Sequence, residues 1–395
     1  MRSRRRYDLR GIIEEDRIMT AVGLIFTNIH DNSIPELTRM RTTASIPFGG
    51  RYRLIDFMLS NMVNSGIIKV GVLTHNNYQS LLDHLETGKD WDLARRSGGI
   101  KILPPYIASF ENTTSGRYRS SRLEALKGAV NFISRCNEEY VVMSDCDIIC
   151  NIDLQKVIEA HANSGADITF VTKTSDLTGY TSHEKLLIAE TDETGRIVDF
   201  TERKTFDGVC NVYANIMVMK REYLLGIVQD AIAHGDTSFL YDVINRKTKS
   251  SDFRIYDYEG WYDRIGSMEE YFSCSMKLLG AEAREGLFGV KNHPILTKVR
   301  NSAPTRYCEG ASVKNSVVAD GCIIEGTVEN SIIFRGVKVC RGAVVKNSIL
   351  FQDTYVCEGA SLNCVITDKN VTIKDGRMLS GHESMPFYIG KKVTV

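Results

Sequence analysis

Along the chain, short unbroken apolar runs alternate with stretches whose apolar residues return every three or four positions. Val22–Phe26 is the first such run, and it suits a strand buried on both faces of a parallel sheet. Ile67–Leu73 follows a helical pattern that ends at Asn64-Ser65-Gly66. Tyr140–Met143, Ile168–Thr172, Leu186–Ala189 and Val212–Met219 continue the series. Strands alternating with helices predict an α/β domain, Rossmann-like and doubly wound, from Met19 to about residue 280. Gly280–Gly289 reads as a linker.

Past that point the pattern becomes a repeat. Asn315-Ser316-Val317-Val318 returns as Asn330-Ser331-Ile332-Ile333, Asn347-Ser348-Ile349-Leu350 and Asn363-Cys364-Val365-Ile366, at spacings of 15, 17 and 16 residues. Gly310, Gly326, Gly342 and Gly359 precede the four units, and Asp320-Gly321 and Arg335-Gly336 mark turns. Short β-branched strands at this period, with Gly and Asn at the corners, predict a parallel β-helix. Equivalent asparagines are expected to stack from coil to coil. Three segments result: an extension at 1–18, an α/β domain at 19–285 and a β-helix at 286–395.

Composition narrows the function. The 395 residues hold 43% hydrophobic and 25% charged side chains, and Lys+Arg balances Asp+Glu at 49 each. A neutral chain gives no reason to expect nucleic acid or an anionic membrane as partner. No apolar run reaches the roughly 18 residues of a membrane span. The ten cysteines include no C-x-x-C pair, and Cys146 and Cys150 lack further zinc ligands nearby. Reduced, mostly buried thiols of a cytoplasmic protein are expected. Residues 1–18 carry six Arg and four acids without a signal-peptide core; Met19 is expected to be the natural start, or 1–18 a flexible tail.

Two segments bear candidate chemistry. Ser144-Asp145-Cys146-Asp147 follows an apolar run, so a carboxylate falls at the C-terminal end of a strand, where open α/β sheets carry their sites. Arg39, Arg41, Arg51 and Arg53 form a basic cluster. Planar guanidinium groups suit phosphate oxygens, although a solvated or subunit-contacting face reads alike. His84, His161, His183, His234, His293 and His382 show no ligand spacing and are expected to be structural. Tyr256–Tyr262 is expected to form core and pocket wall.

Pro47-Phe48-Gly49-Gly50-Arg51-Tyr52-Arg53-Leu54-Ile55-Asp56-Phe57 and Leu59-Ser60-Asn61 resemble the start of sugar-nucleotide pyrophosphorylases of the ADP-glucose type. The C-terminal repeat is similar to the β-helix that ends those enzymes. The resemblance runs from residue 20 to about residue 385. It implies a GT-A-like nucleotidyltransferase domain, a left-handed parallel β-helix, and Mg²⁺-dependent synthesis of ADP-glucose from ATP and glucose 1-phosphate.

Against that family's pattern the chemical centre is rewritten. The glycine loop G-G-x-G-T-R-L falls on Asn28-Ile29-His30-Asp31-Asn32-Ser33-Ile34, without one glycine. Glycine lets backbone N–H groups approach phosphates. Here Ile29 is β-branched, Asp31 would repel phosphate, and Ser33 stands for the Arg. Thr43 stands for the Lys of a Lys-Pro-Ala. Asp147 matches the Mg²⁺-binding Asp, with Asp145 as its alternative. The second metal-binding Asp, in W-x-D-V-G-T, falls on Arg264, and Asp263 sits one residue early, on the opposite face of an extended segment. An arginine there repels Mg²⁺; it could hold a phosphate or replace the ion's charge. Glu202 of the sugar-phosphate segment is retained and Arg203 stands for its Lys. His75 replaces the base-binding amide of L-T-Q. Ser120–Ala125 aligns with G-T-A-D-A only through an insertion, so no role is carried onto it.

Arg41 and Arg53 match basic positions that contribute in the family to binding anionic effectors (sugar phosphates, phosphate or nucleotides), and Arg51 stands for a Lys. Ile25–Asn32 in place of the glycine loop is similar to the GlgD-type branch. That implies a regulatory subunit accompanying a GlgC-type catalytic subunit in a heterotetramer of glycogen biosynthesis. The expected residues are a vestigial catalytic set (Asp147, Glu202, Arg203, Ser33, Thr43, Arg264), substrate-binding His75, Glu202 and Arg203, and effector-binding Arg41, Arg51 and Arg53. Mg²⁺ at Asp147 is expected to be weakly held or lost. An active nucleotidyltransferase with an atypical loop and a stand-alone sugar-phosphate sensor are the alternatives. An acyltransferase would need a His in the coils, and residues 310–375 contain none.

Overall fold

The computed structural model describes residues 19–104 and 121–395. The expected extension at 1–18 and Ser120 lie outside the described residues.

The first apolar run forms the strand Ala21–Phe26, buried throughout. Lys69–Leu73 and Tyr140–Asp145 flank it in parallel, and Gly99–Leu103 continues that side. Beyond Tyr140–Asp145 the sense changes. Val209–Lys220 runs antiparallel to it and to Ile168–Asp176 and Thr181–Thr191, and Ile197–Thr205 closes that edge. The nine-stranded sheet is therefore mixed. Two strands outrun the apolar runs Ile168–Thr172 and Leu186–Ala189 because an antiparallel extension can leave polar residues in water. Apolar helix faces cover both sides of the sheet. Among the described residues, no helix is long and apolar enough to cross a membrane.

A small hairpin aims the chain after the rewritten loop. Pro47–Phe48 pairs antiparallel with Tyr52–Arg53. Gly49 and Gly50 turn it at φ of +56° and +84°, values that side-chain-bearing residues rarely adopt. A Cβ at Gly50 would lie 3.5 Å from Val317 and 3.8 Å from Ala319, so the turn rests directly on the β-helix. The helix Leu54–Asn64 starts where Asp56 Oδ2 accepts the Arg53 N–H at 3.0 Å. The same buried carboxylate receives Thr297 Oγ1 at 2.5 Å and meets His84 Nε2 at 2.6 Å. His84 is thus a structural partner.

The C-terminal repeat builds a three-faced parallel β-helix, each face a five-stranded sheet. The N–H groups of Ser331, Ser348 and Val365 donate to Ser316, Ser331 and Ser348 Oγ, at offsets of 15, 17 and 17 residues. The last spacing is therefore 17 rather than the expected 16. Asn363 lies against Lys346, not Asn347. Cys364, at φ +52°, takes the left-handed corner that Asn315, Asn330 and Asn347 hold in earlier coils. The asparagine stack forms between Asn315 and Asn330 at 2.8 Å, and then runs diagonally from Asn347 to Asn363 at 2.9 Å.

The linker Gly280–Gly289 is a packed element. Ala281–Phe288 is a helix, and Ala283 and Leu287, four residues apart on one face, are buried. Its glycines serve packing: a Cβ at Gly286 would lie 2.4 Å from Trp261 Cβ. This helix joins a core shared by the two domains, in which Phe48, Phe57, Tyr271 and Leu287 meet Ile332, Phe334 and Phe351. Tyr271 stands edge-on to Phe351 and donates to the Pro47 carbonyl at 2.7 Å.

A buried ion pair crosses the same boundary. Arg41 Nη2 lies 2.7 Å from each Asp368 oxygen, with both side chains 4% exposed. Breaking a buried pair from one side strands a charge and costs about 3–5 kcal/mol. Asp368→Asn is expected to lower unfolding stability by that amount in urea titration, and Arg41→Met combined with Asp368→Leu to recover most of it. No loss in the single variant would mean that water already screens the pair.

Candidate functional site

The site lies where the parallel half of the sheet meets the antiparallel half. Tyr140–Asp145 ends in the buried Asp145, and two residues on Asp147 has no exposure at all. The chain then forms Ile148–Cys150, antiparallel to Tyr262–Arg264, with Arg264 opposite Ile148. That pairing turns Arg264 toward Asp147, Nε to Oδ2 at 2.9 Å. Asp263 faces away, as an extended segment requires, and meets Lys277 Nζ at 2.6 Å.

A bulge supplies the next contact. The register of Val209–Lys220 against Ile168–Asp176 slips between Tyr213 and Ile216, and Asn215 adopts φ +53°. Bulges re-aim side chains. Here the Asn215 amide donates to both Asp147 oxygens, at 3.1 and 2.9 Å. Arg122, near the start of the helix Arg122–Ser134, binds Asp145 with Nε at 3.2 Å and with Nη2. Arg264 Nη2 also reaches Glu184 at 2.9 Å.

The loop in place of the glycines fills the rest. His30 Nε2 lies 2.8 Å from Asp145 Oδ2 and 3.5 Å from Asp147 Oδ2. Asp31 Oδ1 accepts from the N–H and Oγ1 of Thr43 at 2.7 and 2.8 Å, and its Oδ2 from Asn28 at 2.6 Å. The expected phosphate-repelling carboxylate is thus tied inward, and Thr43, at the family's Lys position, is its partner. Ser33 is half-buried, and its N–H donates to the His30 carbonyl at 3.1 Å.

Titration follows from this enclosure. Burial alone would lower the His30 pKa, but the Asp147 and Asp145 carboxylates outweigh it and raise it. Burial alone would raise Asp147, but His30 and Arg264 hold it below the usual carboxylate range. Burial raises Asp31 despite its donors.

A divalent ion at Asp147 must be weighed against these contacts. The donor atoms of His30, Asp145 and Asp147 lie within 4.8 Å of one another, a separation that suits one ion. However, Arg122 and Arg264 already bind the two aspartates, and Asn215 takes both Asp147 oxygens. Dications require carboxylates that are free to turn lone pairs toward them. The residues present do not fit Mg²⁺.

Other expected residues lie elsewhere. Glu202 and Arg203 sit on the edge strand Ile197–Thr205. Arg203 pairs with Glu190 at 2.6 Å and Glu202 with Lys185 at 3.8 Å, rather than with the cluster. The His75 N–H donates to Asn28 Oδ1 at 2.8 Å and so holds the loop's base. His30, Arg122, Asn215 and Glu184 were not among the expected site residues. Arg122 was visible only as part of an unaligned segment, and nothing in sequence marks the bulge at Asn215.

The basic cluster divides. Arg41 is buried against Asp368 and does not line the cleft between the domains, contrary to the effector role expected of it. Arg51 and Arg53 do line that cleft, with Lys298, Arg300, Arg335 and Lys369. Arg53 donates to the Ser80 carbonyl and hydroxyl. Among the described residues, Arg51, Arg300 and Lys369 have no ion-pair partner. Burial, with Arg53 and Arg41 nearby, brings the Lys369 pKa down to about 7.

Comparison with known proteins matches this architecture. A nucleotidyl transferase family model matches residues 34–280, and a GlmU-like C-terminal hexapeptide model matches residues 303–384. The hexapeptide match agrees with the stacked parallel coils and with a left-handed β-helix. The glycogen biosynthesis protein GlgD of Bacillus subtilis is 33% identical over 94% of this chain and 95% of its own length. GlgD of Geobacillus stearothermophilus is 35% identical over 82% of each chain, and the glucose-1-phosphate adenylyltransferase of that organism is 32% identical over the same shares. The chain therefore belongs to the nucleotidyl transferase family, in the group that holds the glucose-1-phosphate adenylyltransferases and the GlgD proteins.

Proposed function

We propose that this chain is a GlgD-type regulatory subunit of a bacterial glucose-1-phosphate adenylyltransferase in glycogen biosynthesis. It has little or no catalysis of its own and acts on a GlgC-type catalytic subunit in a cytoplasmic heterotetramer. The observation that carries the reading is the closure of its own site. His30, Arg122 and Arg264 neutralise Asp145 and Asp147, and Thr43 holds Asp31 where a phosphate loop would lie. Phosphoryl-type transfer needs open donors and a metal for the developing pyrophosphate charge.

The second part of the reading concerns effectors. The cationic cleft between the domains suits a sugar phosphate, phosphate or nucleotide, held by Arg51, Arg53 and Lys369. It lies against the core shared by both domains. An anion can bias two arrangements of that boundary only by binding them unequally.

ADP-glucose synthesis from ATP and glucose 1-phosphate with Mg²⁺ tests the first part. The chain alone is expected to be silent, and the catalytic subunit of the same cell to be raised or re-tuned by it. Robust synthesis by this chain alone would sink the reading in favour of an active enzyme with an atypical loop. Binding of sugar phosphate with no effect on the catalytic subunit would favour the stand-alone sensor.

Ser33→Arg combined with Thr43→Lys restores two family positions. No measurable turnover is expected from the pair, because Arg264 still occupies Asp147. Turnover in that variant would mean that the loop alone was limiting.

Anion binding at the cleft is expected to depend on pH. Lys369 loses its proton above about pH 7 in the free protein, whereas a bound anion favours the charged amine. Sulfate, which does not itself titrate in this range, should bind more weakly as pH rises past that value, by up to about tenfold per unit. Lys369→Met should flatten the slope in calorimetric titration; an unchanged slope would exclude Lys369 as its source.

A further inference from the structure

We propose that Arg264 is the resident cation of the strand-end site, its guanidinium permanently taking the place between Asp147 and Glu184 where a divalent ion would otherwise bridge two carboxylates. This deepens the regulatory reading by naming what closes the site to metal.

The contacts are those of a bridging ion. One guanidinium reaches Asp147 Oδ2 through Nε and Glu184 Oε2 through Nη2, each at 2.9 Å. Arg264 is 14% exposed in its side chain and Asp147 not at all, so water does little of the neutralising. The remaining capacity of Asp147 is taken by the Asn215 amide at 3.1 and 2.9 Å, with His30 Nε2 at 3.5 Å.

The local charge is already compensated by the chain's own groups. Three carboxylates (Asp145, Asp147 and Glu184) face the guanidinium groups of Arg122 and Arg264 and the ring of His30. A dication added beside Arg264 would set two further positive charges against that guanidinium in a buried place, which is costly. Without the guanidinium, Asp147 and Glu184 would face one another with no counter-ion between them. Asn215 would stand beside them, and the ring of His30, once it gave up any proton to solvent, would offer a nitrogen ligand, a mixed oxygen and nitrogen set that suits Mn²⁺.

Mn²⁺ binding to the full chain, read by electron paramagnetic resonance, tests this without reference to activity. The wild-type chain is expected to show no Mn²⁺ site that Asp147→Asn removes. Arg264→Ser is expected to gain one site and to lose it again when combined with Asp147→Asn. In thermal unfolding, Arg264→Ser should melt below the wild type, and Mn²⁺ should raise its midpoint progressively while leaving the wild type unmoved. Arg264→Gln, which keeps a donor and much of the shape, takes its place if the serine variant does not fold.

An Mn²⁺ site in the wild type that depends on Asp147 would overturn the inference, as would a folded Arg264 variant with neither Mn²⁺ binding nor a midpoint shift. Either result leaves the regulatory reading to the synthesis assay, which does not depend on where Mn²⁺ binds.

Discussion

Two carboxylates held out of water at the end of one strand impose the constraint on which the site depends. Asp145 and Asp147 sit where the sheet changes from parallel to antiparallel. A buried charge without a partner costs several kcal/mol. This chain answers with its own cations, drawn from three separate segments: His30 from the rewritten loop, Arg122 from a helix start, and Arg264 from a short strand. The loop, the ribbon Ile148–Cys150 with Tyr262–Arg264, and the bulge at Asn215 all follow as ways of delivering partners to those oxygens.

The same logic works at the domain boundary. A flexible joint would let the β-helix move independently, but a continuous apolar core runs from Phe48 and Tyr271 into Phe334 and Phe351. Arg41 and Asp368 add a buried ion pair at its rim. The cationic cleft opens beside that pair, and Lys369, which lines it, follows Asp368 in the chain. Thr42 and Thr43 follow Arg41, and Thr43 holds Asp31 next to His30. Cleft and closed site are therefore joined by a short run of packed and hydrogen-bonded residues. Such continuity is the physical precondition for coupling, and coupling itself requires two states that a ligand distinguishes.

Much of the fold was legible in the sequence. Val22–Phe26 and Tyr140–Met143 are apolar on both faces and could belong only to a covered sheet. The Asn-Ser-Val-Val repeat announced the coils, but the last spacing misled, because the asparagine moved one place and Cys364 took the corner. Gly280–Gly289 reads as a linker, and what its sequence does not reveal is that the connection is a packed helix in which Gly286 gives room to Trp261. The losses at the site (the glycine loop, Ser33, Thr43, Arg264) could be read position by position. The contacts that replace them could not. His30 reaches Asp145 across 115 residues of sequence, and Asn215 reaches Asp147 only through a bulge. Arg41 looked like its basic neighbours because burial of a charge depends on a partner, Asp368, 327 residues away.

Calorimetric titration of this chain alone with ATP, in Mg²⁺ and again in EDTA, addresses the central claim most directly. If the chain's own cations have replaced the metal and closed the loop, the difference between the two titrations, corrected for ATP–Mg²⁺ chelation in buffer alone, will be unchanged by Asp147→Asn. Stoichiometric, Mg²⁺-dependent ATP binding that Asp147→Asn abolishes would contradict the account, because it would require the carboxylates to leave Arg264 and His30 for a metal.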